Sequence, residues 1–461
     1  MKVALHTMGC RSNFADSVEL QVALASAGAA PCSISEDADV YVVNTCTVTD
    51  SAEKEVRSLI RSIRKDNPER RIVITGCLAT VGSEVFKELS ALDSVVPPGQ
   101  RKNLVASILS PATDAAGDFS TSTGLPKRAQ RLTSEDINDP LGPALASPTE
   151  KLGSLPMRKR FHLRVQEGCD NFCTFCIIPF TRGKIVSRKS ERIFEDLKKL
   201  SDLGYEEVVL TGTHLGGYGE DFGSSLIELL KDFAKRKPIK RVRLSSLDPN
   251  DITPEFIDLI ASEEIFCEHL HLCMQALDDE VLKRMNRRYS LSEGLELLEY
   301  ARRIIPAASL GTDLITGFPG ETSSIFEKQC ERFNSSPLSY VHVFPYSERA
   351  DTAATRLDGE VELQERKRRA GRLRALAEKR YRDFSRSFVG KNVEVILETV
   401  RELEDGRMEY RGTSREFIEA KTSLASFSER SPELGRCVQL RVTAFDESGE
   451  TLQCELFDQE N

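Results

Sequence analysis

Short apolar, β-rich runs alternate with stretches of helical periodicity along the first hundred residues. The runs are Lys2–His6, Asp39–Asn44 and Arg71–Thr75, followed by periodic stretches at Ala15–Ala27, Ser51–Lys65 and Gly82–Leu89. This alternation predicts a parallel sheet with covering helices, because parallel neighbours need a long crossover between them. From about Pro111 to Pro156 the pattern dissolves into Ser, Thr, Pro, Gly and Ala, and residues 111–156 read as a linker. A second α/β series has candidate strands at Phe161–Val165, Glu207–Leu210, Arg241–Leu244, His269–Leu272, Ala308–Leu314 and Tyr340–Phe344. Six βα units predict a partial (β/α)6 barrel, since eight normally take about 250 residues. Glu362–Ser387 predicts one long charged helix. Strand patterns then return at Asn392–Thr399, Met408–Thr413, Phe417–Ala420, Cys437–Ala444 and Thr451–Leu456, predicting a small open β-barrel. The fold class is α/β throughout, with domains at 1–110, 157–388 and 389–461 and only the last module all-β.

Composition places this pattern in a soluble globular protein of 461 residues, 40% hydrophobic and 29% charged, without tryptophan. No apolar run approaches the roughly 20 residues of a membrane span, and the N-terminus lacks the apolar core of a signal peptide. The expectation is a cytoplasmic protein with no membrane partner. Twelve cysteines then call for metal or redox chemistry, because disulfides are disfavoured in that compartment. The net charge of −9 argues against polyanion binding over the whole surface. Yet Gln364–Lys391 carries eleven Lys/Arg against three Asp/Glu. Arg366, Arg369, Arg372, Arg380 and Arg386 there are candidate phosphate (RNA-binding) contacts, with a solvated helix of internal ion pairs as the alternative. The β-module reverses the balance, with eight basic against sixteen acidic residues from Val393 to Asn461, although Arg411, Arg415 and Phe417 could still read RNA.

The sharpest chemical signal is Cys169, Cys173 and Cys176, spaced C-x3-C-x2-C. Three thiolates on one loop can hold a 4Fe-4S cluster and leave one iron open. A structural zinc site would want a fourth ligand, and no other Cys or His is near in sequence. A second set follows from the strand pattern. Cys10, Cys46 and Cys77 each follow a predicted parallel strand, at the carboxyl edge where open α/β sheets bind ligands. Their contexts echo one another in Gly9-Cys10, Asn44-Thr45-Cys46 and Thr75-Gly76-Cys77. The bland alternative is three buried packing cysteines. Cys32, Cys267, Cys273, Cys330, Cys437 and Cys454 sit singly and read as packing residues, with Cys273 the doubtful one because it ends a predicted barrel strand.

The C-x3-C-x2-C loop, in Gly168-Cys169-Asp170-Asn171-Phe172-Cys173 through Cys176-Ile177-Ile178-Pro179 and Arg182-Gly183, resembles the radical S-adenosylmethionine superfamily. With the N-terminal triad, nearly the whole chain resembles the methylthiotransferases: their N-terminal domain, a radical barrel and a C-terminal TRAM domain. Thr211–Gly219, Arg243-Leu244-Ser245-Ser246-Leu247-Asp248-Pro249 and Lys283–Tyr289 are most similar to the subgroup acting on N6-threonylcarbamoyladenosine at tRNA position 37. The family's other substrates, isopentenyladenosine in tRNA and an aspartate of ribosomal protein S12, are the alternatives. A two-cluster electron carrier is the rival outside the family. One stretch departs: Cys273-Met274-Gln275-Ala276-Leu277 stands where the family usually shows Pro and then Gln-Ser-Gly.

The resemblance implies two 4Fe-4S clusters, on Cys169/Cys173/Cys176 and on Cys10/Cys46/Cys77, with S-adenosylmethionine on the open iron of the first. The product would carry a methylthio group at C2 of the adenine. Phe175, Gly212, Gly216, Gly217, Gln275 and Asp313 are the expected cofactor-binding residues. The expected partners are tRNA and a flavodoxin- or ferredoxin-like electron donor, and the expected state is a monomer.

Overall fold

The computed structural model describes residues 1–46, 50–81, 94–97, 101–109, 137, 158–350, 352–424, 432–446 and 451–456. The expected helix Gly82–Leu89 and, save Ile137, the expected linker 111–156 lie outside them. The first unit is a parallel sheet in the order β2-β1-β3-β4-β5. Its strands are β1 (Lys2–Thr7), β2 (Ala30–Cys32), β3 (Val40–Thr45), β4 (Arg71–Gly76) and β5 (Ser94–Val95). Strands β2 and β5 carry too few apolar residues to show in the pattern. All six residues of β3 are buried, as a central parallel strand requires. Val40 and Val42 face a core with Leu20 and Leu24 of α1 (Arg11–Ser26), while Tyr41 and Val43 pack with Val56 and Ile60 of α2 (Asp50–Asp66). Helix α1 starts at Arg11, directly after Cys10, earlier than its periodicity suggests. A short helix, α3 (Cys77–Val81), leaves β4.

The second unit holds the six expected strands: β6 (Phe161–Glu167), β8 (Glu207–Gly212), β9 (Arg241–Leu244), β10 (His269–His271), β11 (Ser309–Thr316) and β12 (Tyr340–Pro345). A two-residue β7 (Val186–Ser187) adds an antiparallel edge to β6. The strands form sheets β7-β6-β8-β9 and β10-β11-β12, linked by parallel bridges such as Leu247↔Leu272 into a partial barrel. Phe161, Leu163 and Val165 of β6 join Ile193 and Leu197 of the covering helix Ser190–Asp202. The alternate residue Arg164 points the other way and ion-pairs with Asp16 and Glu19 of α1. The first helix of one unit thus covers the inner face of the other.

Leu363–Arg386 is the expected long helix. The terminal strands β13 (Asn392–Glu402), β14 (Met408–Ser414), β15 (Glu419–Leu424), β16 (Cys437–Phe445) and β17 (Thr451–Leu456) close into a barrel, where the sequence suggested an open one. Parallel pairing of β15 with β17 makes the closure. Strand β15 begins at Glu419 and not at Phe417, because Phe417 takes a left-handed φ of 63°. This barrel docks on the second unit through buried charge. Glu207 accepts from Arg241 and Arg243, whose other nitrogens donate to the Thr413 and Ser414 carbonyls at 2.9 and 2.8 Å.

Candidate functional site

Cys10, Cys46 and Cys77 all lie at the carboxyl edge of the first sheet. Cys10 caps α1, Cys46 follows β3, and Cys77 opens α3 after β4. Two glycines at positive φ allow this: Gly9 at 95° and Gly76 at 91°. A Cβ on Gly9 would come 2.7 Å from the Cys46 sulfur, and one on Gly76 would land on the Thr45 carbonyl. Asn13 ties the edge together, donating to the Met8 and Thr45 carbonyls at 2.8 and 2.9 Å.

The second triad sits on the loop after β6, whose hydrogen bonds fix its path. The Cys169 amide donates to Gly183 and the Cys176 amide to Cys173, at 3.0 and 2.9 Å. Thr174 donates through its hydroxyl to the Arg284 carbonyl at 2.8 Å. Arg287 donates to the Cys173 sulfur at 3.2 Å and pairs with buried Asp248 at 2.7 Å. Burial pushes the Cys169 and Cys176 thiols up to about 12. They would stay protonated at neutral pH unless a cationic centre drew off the proton.

Arg182 joins the two sites. It follows Cys176 by six residues, yet its Nε donates to the Cys77 sulfur at 3.3 Å. Its other nitrogens reach Asn13 and Asp16 of the first unit and Glu167 of the second, at 2.6, 2.8 and 2.6 Å. Burial raises the Cys77 thiol and Arg182 opposes it.

The donor chemistry fits iron–sulfur clusters better than single ions. Tetrahedral zinc would gather its thiolates to roughly 3.8 Å of one another. Among the described residues the group drawn together for one ion is His271, Cys273 and Asp313, within 4.8 Å, and it includes neither cysteine triad. Asp313 there is already engaged, 3.1 Å from both His271 Nε2 and His342 Nδ1. Burial favours its neutral form, but the two histidines outweigh it and hold the carboxyl far below its ordinary range. Tyr340 extends the chain of contacts, its hydroxyl 2.8 Å from His269 and from His271.

Three comparisons bear on this geometry. Residues 2–97 match the model of an uncharacterized family, UPF0004, and residues 163–332 match the radical SAM superfamily. The threonylcarbamoyladenosine tRNA methylthiotransferase MtaB of Bacillus subtilis is 32% identical over 88% of this chain and 87% of its own. Its namesake from Thermotoga maritima is 35% identical over 86% of each chain. The chain belongs to the radical S-adenosylmethionine methylthiotransferase family. A tRNA-2-methylthio-N(6)-dimethylallyladenosine synthase of Chloroherpeton thalassium is 32% identical over 86% of this chain and 85% of its own. Among solved structures, the radical S-adenosylmethionine methyltransferase TsrM of Kitasatospora setae shares the fold, with a TM-score of 0.53 and 16% identity. That match covers 75% of this chain and 72% of that one.

Within this methylthiotransferase-family fold, the remaining expected residues fare unevenly. Gln275 is next to the His271–Asp313 group, in a left-handed conformation held by backbone bonds to Asp313 and Ile315 at 2.9 Å each. Phe175 is partly buried edge-on against Phe318, centroids 6.2 Å apart. The glycines were expected to let backbone approach a cofactor, and at each of them protein atoms take the place a side chain would need. A Cβ on Gly212 would come 2.8 Å from Gln166 Oε1, on Gly216 it would strike the Asp251 carboxylate, and on Gly217 it would come 2.8 Å from Ile185.

Two of the five arginines expected on the RNA face need correction, since they are buried. Arg366 is buried and bonded to Glu348, Glu360 and the Val361 carbonyl; Arg369 is buried against Glu321 and Glu365. Arg372 pairs with Glu327, and Arg380 donates to the Ser336 carbonyl. Glu365 apart, their carboxylates lie outside the helix, where a count along it does not register them. Arg386 stays exposed, its guanidinium 5.9 Å from the Phe445 ring. Arg411 is paired with Glu409 and Glu419, Arg415 with Glu268, and the Phe417 ring is 4.5 Å from that of His269. Arg11, Asn13, Asp248, His271, Arg287, Tyr340 and His342 were not anticipated. Arg11 and Asn13 had a signal in the run Gly9-Cys10-Arg11-Ser12-Asn13, and Asp248 and Arg287 lie in the stretches Arg243–Pro249 and Lys283–Tyr289 that carry the resemblance.

Proposed function

We propose that this chain is a tRNA-modifying enzyme that places a methylthio group on C2 of N6-threonylcarbamoyladenosine at position 37. Cys169, Cys173 and Cys176 hold one 4Fe-4S cluster, and Cys10, Cys46 and Cys77 hold the second. When bound, these clusters and S-adenosylmethionine supply radical initiation, sulfur and the methyl group. The chain's own residues position and enclose. Arg287 fixes Cys173 against Asp248, and Asn13 and Arg182 fix the edge that carries Cys77. Gln275 and Asp313, at the carboxyl face of the barrel where such sites lie, bind polar groups of S-adenosylmethionine. Phe175 packs beside its adenine. Exposed Arg386 contacts the RNA backbone. The protein acts as a monomer in the cytoplasm and takes electrons from a flavodoxin- or ferredoxin-like donor.

The observation that supports this reading is the Arg182 link, in which a residue six after Cys176 reaches the Cys77 sulfur across the two units. Anaerobic reconstitution with iron counting tests it. Two cubanes predict about eight irons per chain, falling to about four when Cys169, Cys173 and Cys176 are replaced by Ala. Zinc alone, or a single cluster, would end the proposal. Nucleoside analysis of tRNA from a deletion strain tests the substrate: the 2-methylthio derivative of threonylcarbamoyladenosine should vanish, and loss of the dimethylallyl derivative instead would favour the relative from Chloroherpeton thalassium.

A further inference from the structure

Buried arginines in this fold come with carboxylates. Arg164 has Asp16, Glu19 and Glu167; Arg241 and Arg243 have Glu207; Arg287 has Asp248. Arg11 is different. It is partly buried, yet no described carboxylate comes within the 4 Å of an ion pair, and among the described residues its guanidinium has only a long 3.5 Å contact to the Leu244 carbonyl. Its guanidinium is 5.5 Å from the Phe417 ring, whose centroid is 6.1 Å from that of Tyr340. Asp313 is committed to His271 and His342. The first turn of α1, with no side-chain cap, adds the positive end of its dipole at the same place. A cation kept in such surroundings is one whose partner arrives from outside.

We infer that Arg11 binds the carboxylate of the substrate's threonylcarbamoyl group and so selects that adenosine over its uncharged relatives. The inference rests on the proposed function and deepens it. The threonylcarbamoyl substituent carries one carboxylate, to which a guanidinium can donate two parallel hydrogen bonds. Adenine geometry supports the placement. N6 and C2 flank N1 on one edge of the ring, so the substituent and the reacting carbon lie on the same side. Arg11 adjoins Cys10, the residue on that side that would hold the sulfur-bearing cluster. A dimethylallyl group or a bare amino group would leave the partly buried guanidinium unpaired, which supplies the discrimination. A backbone phosphate has the same anionic chemistry, and the experiment below separates the two sources.

The test uses the full chain with both clusters reconstituted and two anticodon stem-loops, one with threonylcarbamoyladenosine at position 37 and one with unmodified adenosine. Equilibrium binding is measured for the unaltered protein, Arg11→Gln and Arg11→Lys at matched iron content. The unaltered protein should prefer the modified stem-loop. Arg11→Gln should lose roughly 10- to 100-fold on that stem-loop and nothing on the unmodified one. Arg11→Lys, which keeps the charge but not the planar fork, should fall between. An unchanged preference in Arg11→Gln, or an equal loss on both stem-loops as a phosphate contact would give, overturns the inference while leaving the function standing. Equal binding of both by the unaltered protein overturns the substrate assignment itself.

Discussion

At the scale of single residues, the sites depend on a few backbone positions as much as on ligand atoms. Gly76 is the sharpest case, since its positive φ and the Thr45 carbonyl beside it exclude any side chain. Gly76→Ala should displace Cys77 and empty the sheet-edge site alone. Iron should fall from about eight to about four per chain, while 5′-deoxyadenosine release, measured by chromatography, should continue. Loss of both activities would place the glycine in the general fold instead. The cysteines were legible in sequence because ligand chemistry is local: spacing marks the loop triad, and strand ends mark the other. Asp248, Arg287 and the histidines around Asp313 were not, because each acquires its meaning from a residue tens of positions away.

Among elements, buried charge decides how the C-terminal barrel sits on the central one. Glu207 is fully buried and satisfied by Arg241 and Arg243. Burial alone would raise its pKa, but the two guanidinium groups outweigh that and bring it down to about 2. The unfolded value is about 4.3, so the associated stability, about 3 kcal/mol, is complete above that pH. It is lost as pH falls through about 2. Acid titration of stability should therefore weaken in Glu207→Gln, and its urea midpoint at pH 7 should drop by the equivalent of about 3–5 kcal/mol. A midpoint within error of the unaltered protein would refute this account. The long helix shows why charge counting misleads. Eleven basic residues in Gln364–Lys391 suggested an RNA face, but the helix spends Arg366, Arg369 and Arg372 on carboxylates of neighbouring segments.

Over the whole molecule, order and type of the main elements followed from periodicity, because long apolar patterns survive any context. The short strands β2, β5 and β7 and the closure of the last barrel did not, since pairing across chain distance creates them. The same limit applies to nucleic-acid contact, where a net charge of −9 leaves isolated exposed arginines as the means of attraction. Arg386→Glu should weaken tRNA binding and reduce the slope of log affinity against log salt by roughly 1. Arg366→Ala should lower thermal stability and leave that slope unchanged. Filter binding across a salt series separates the two, and a reversed pattern would contradict the described burial. Last, the carboxylates Asp16, Glu19 and Glu167 and the guanidiniums of Arg164 and Arg182 form one interlocked knot drawn from both α/β units. Shielded charges of this kind are little screened by salt. Neither half keeps a balanced interior without the other, so they must stand or melt as one cooperative body, and a severed backbone between them would still leave a joined pair.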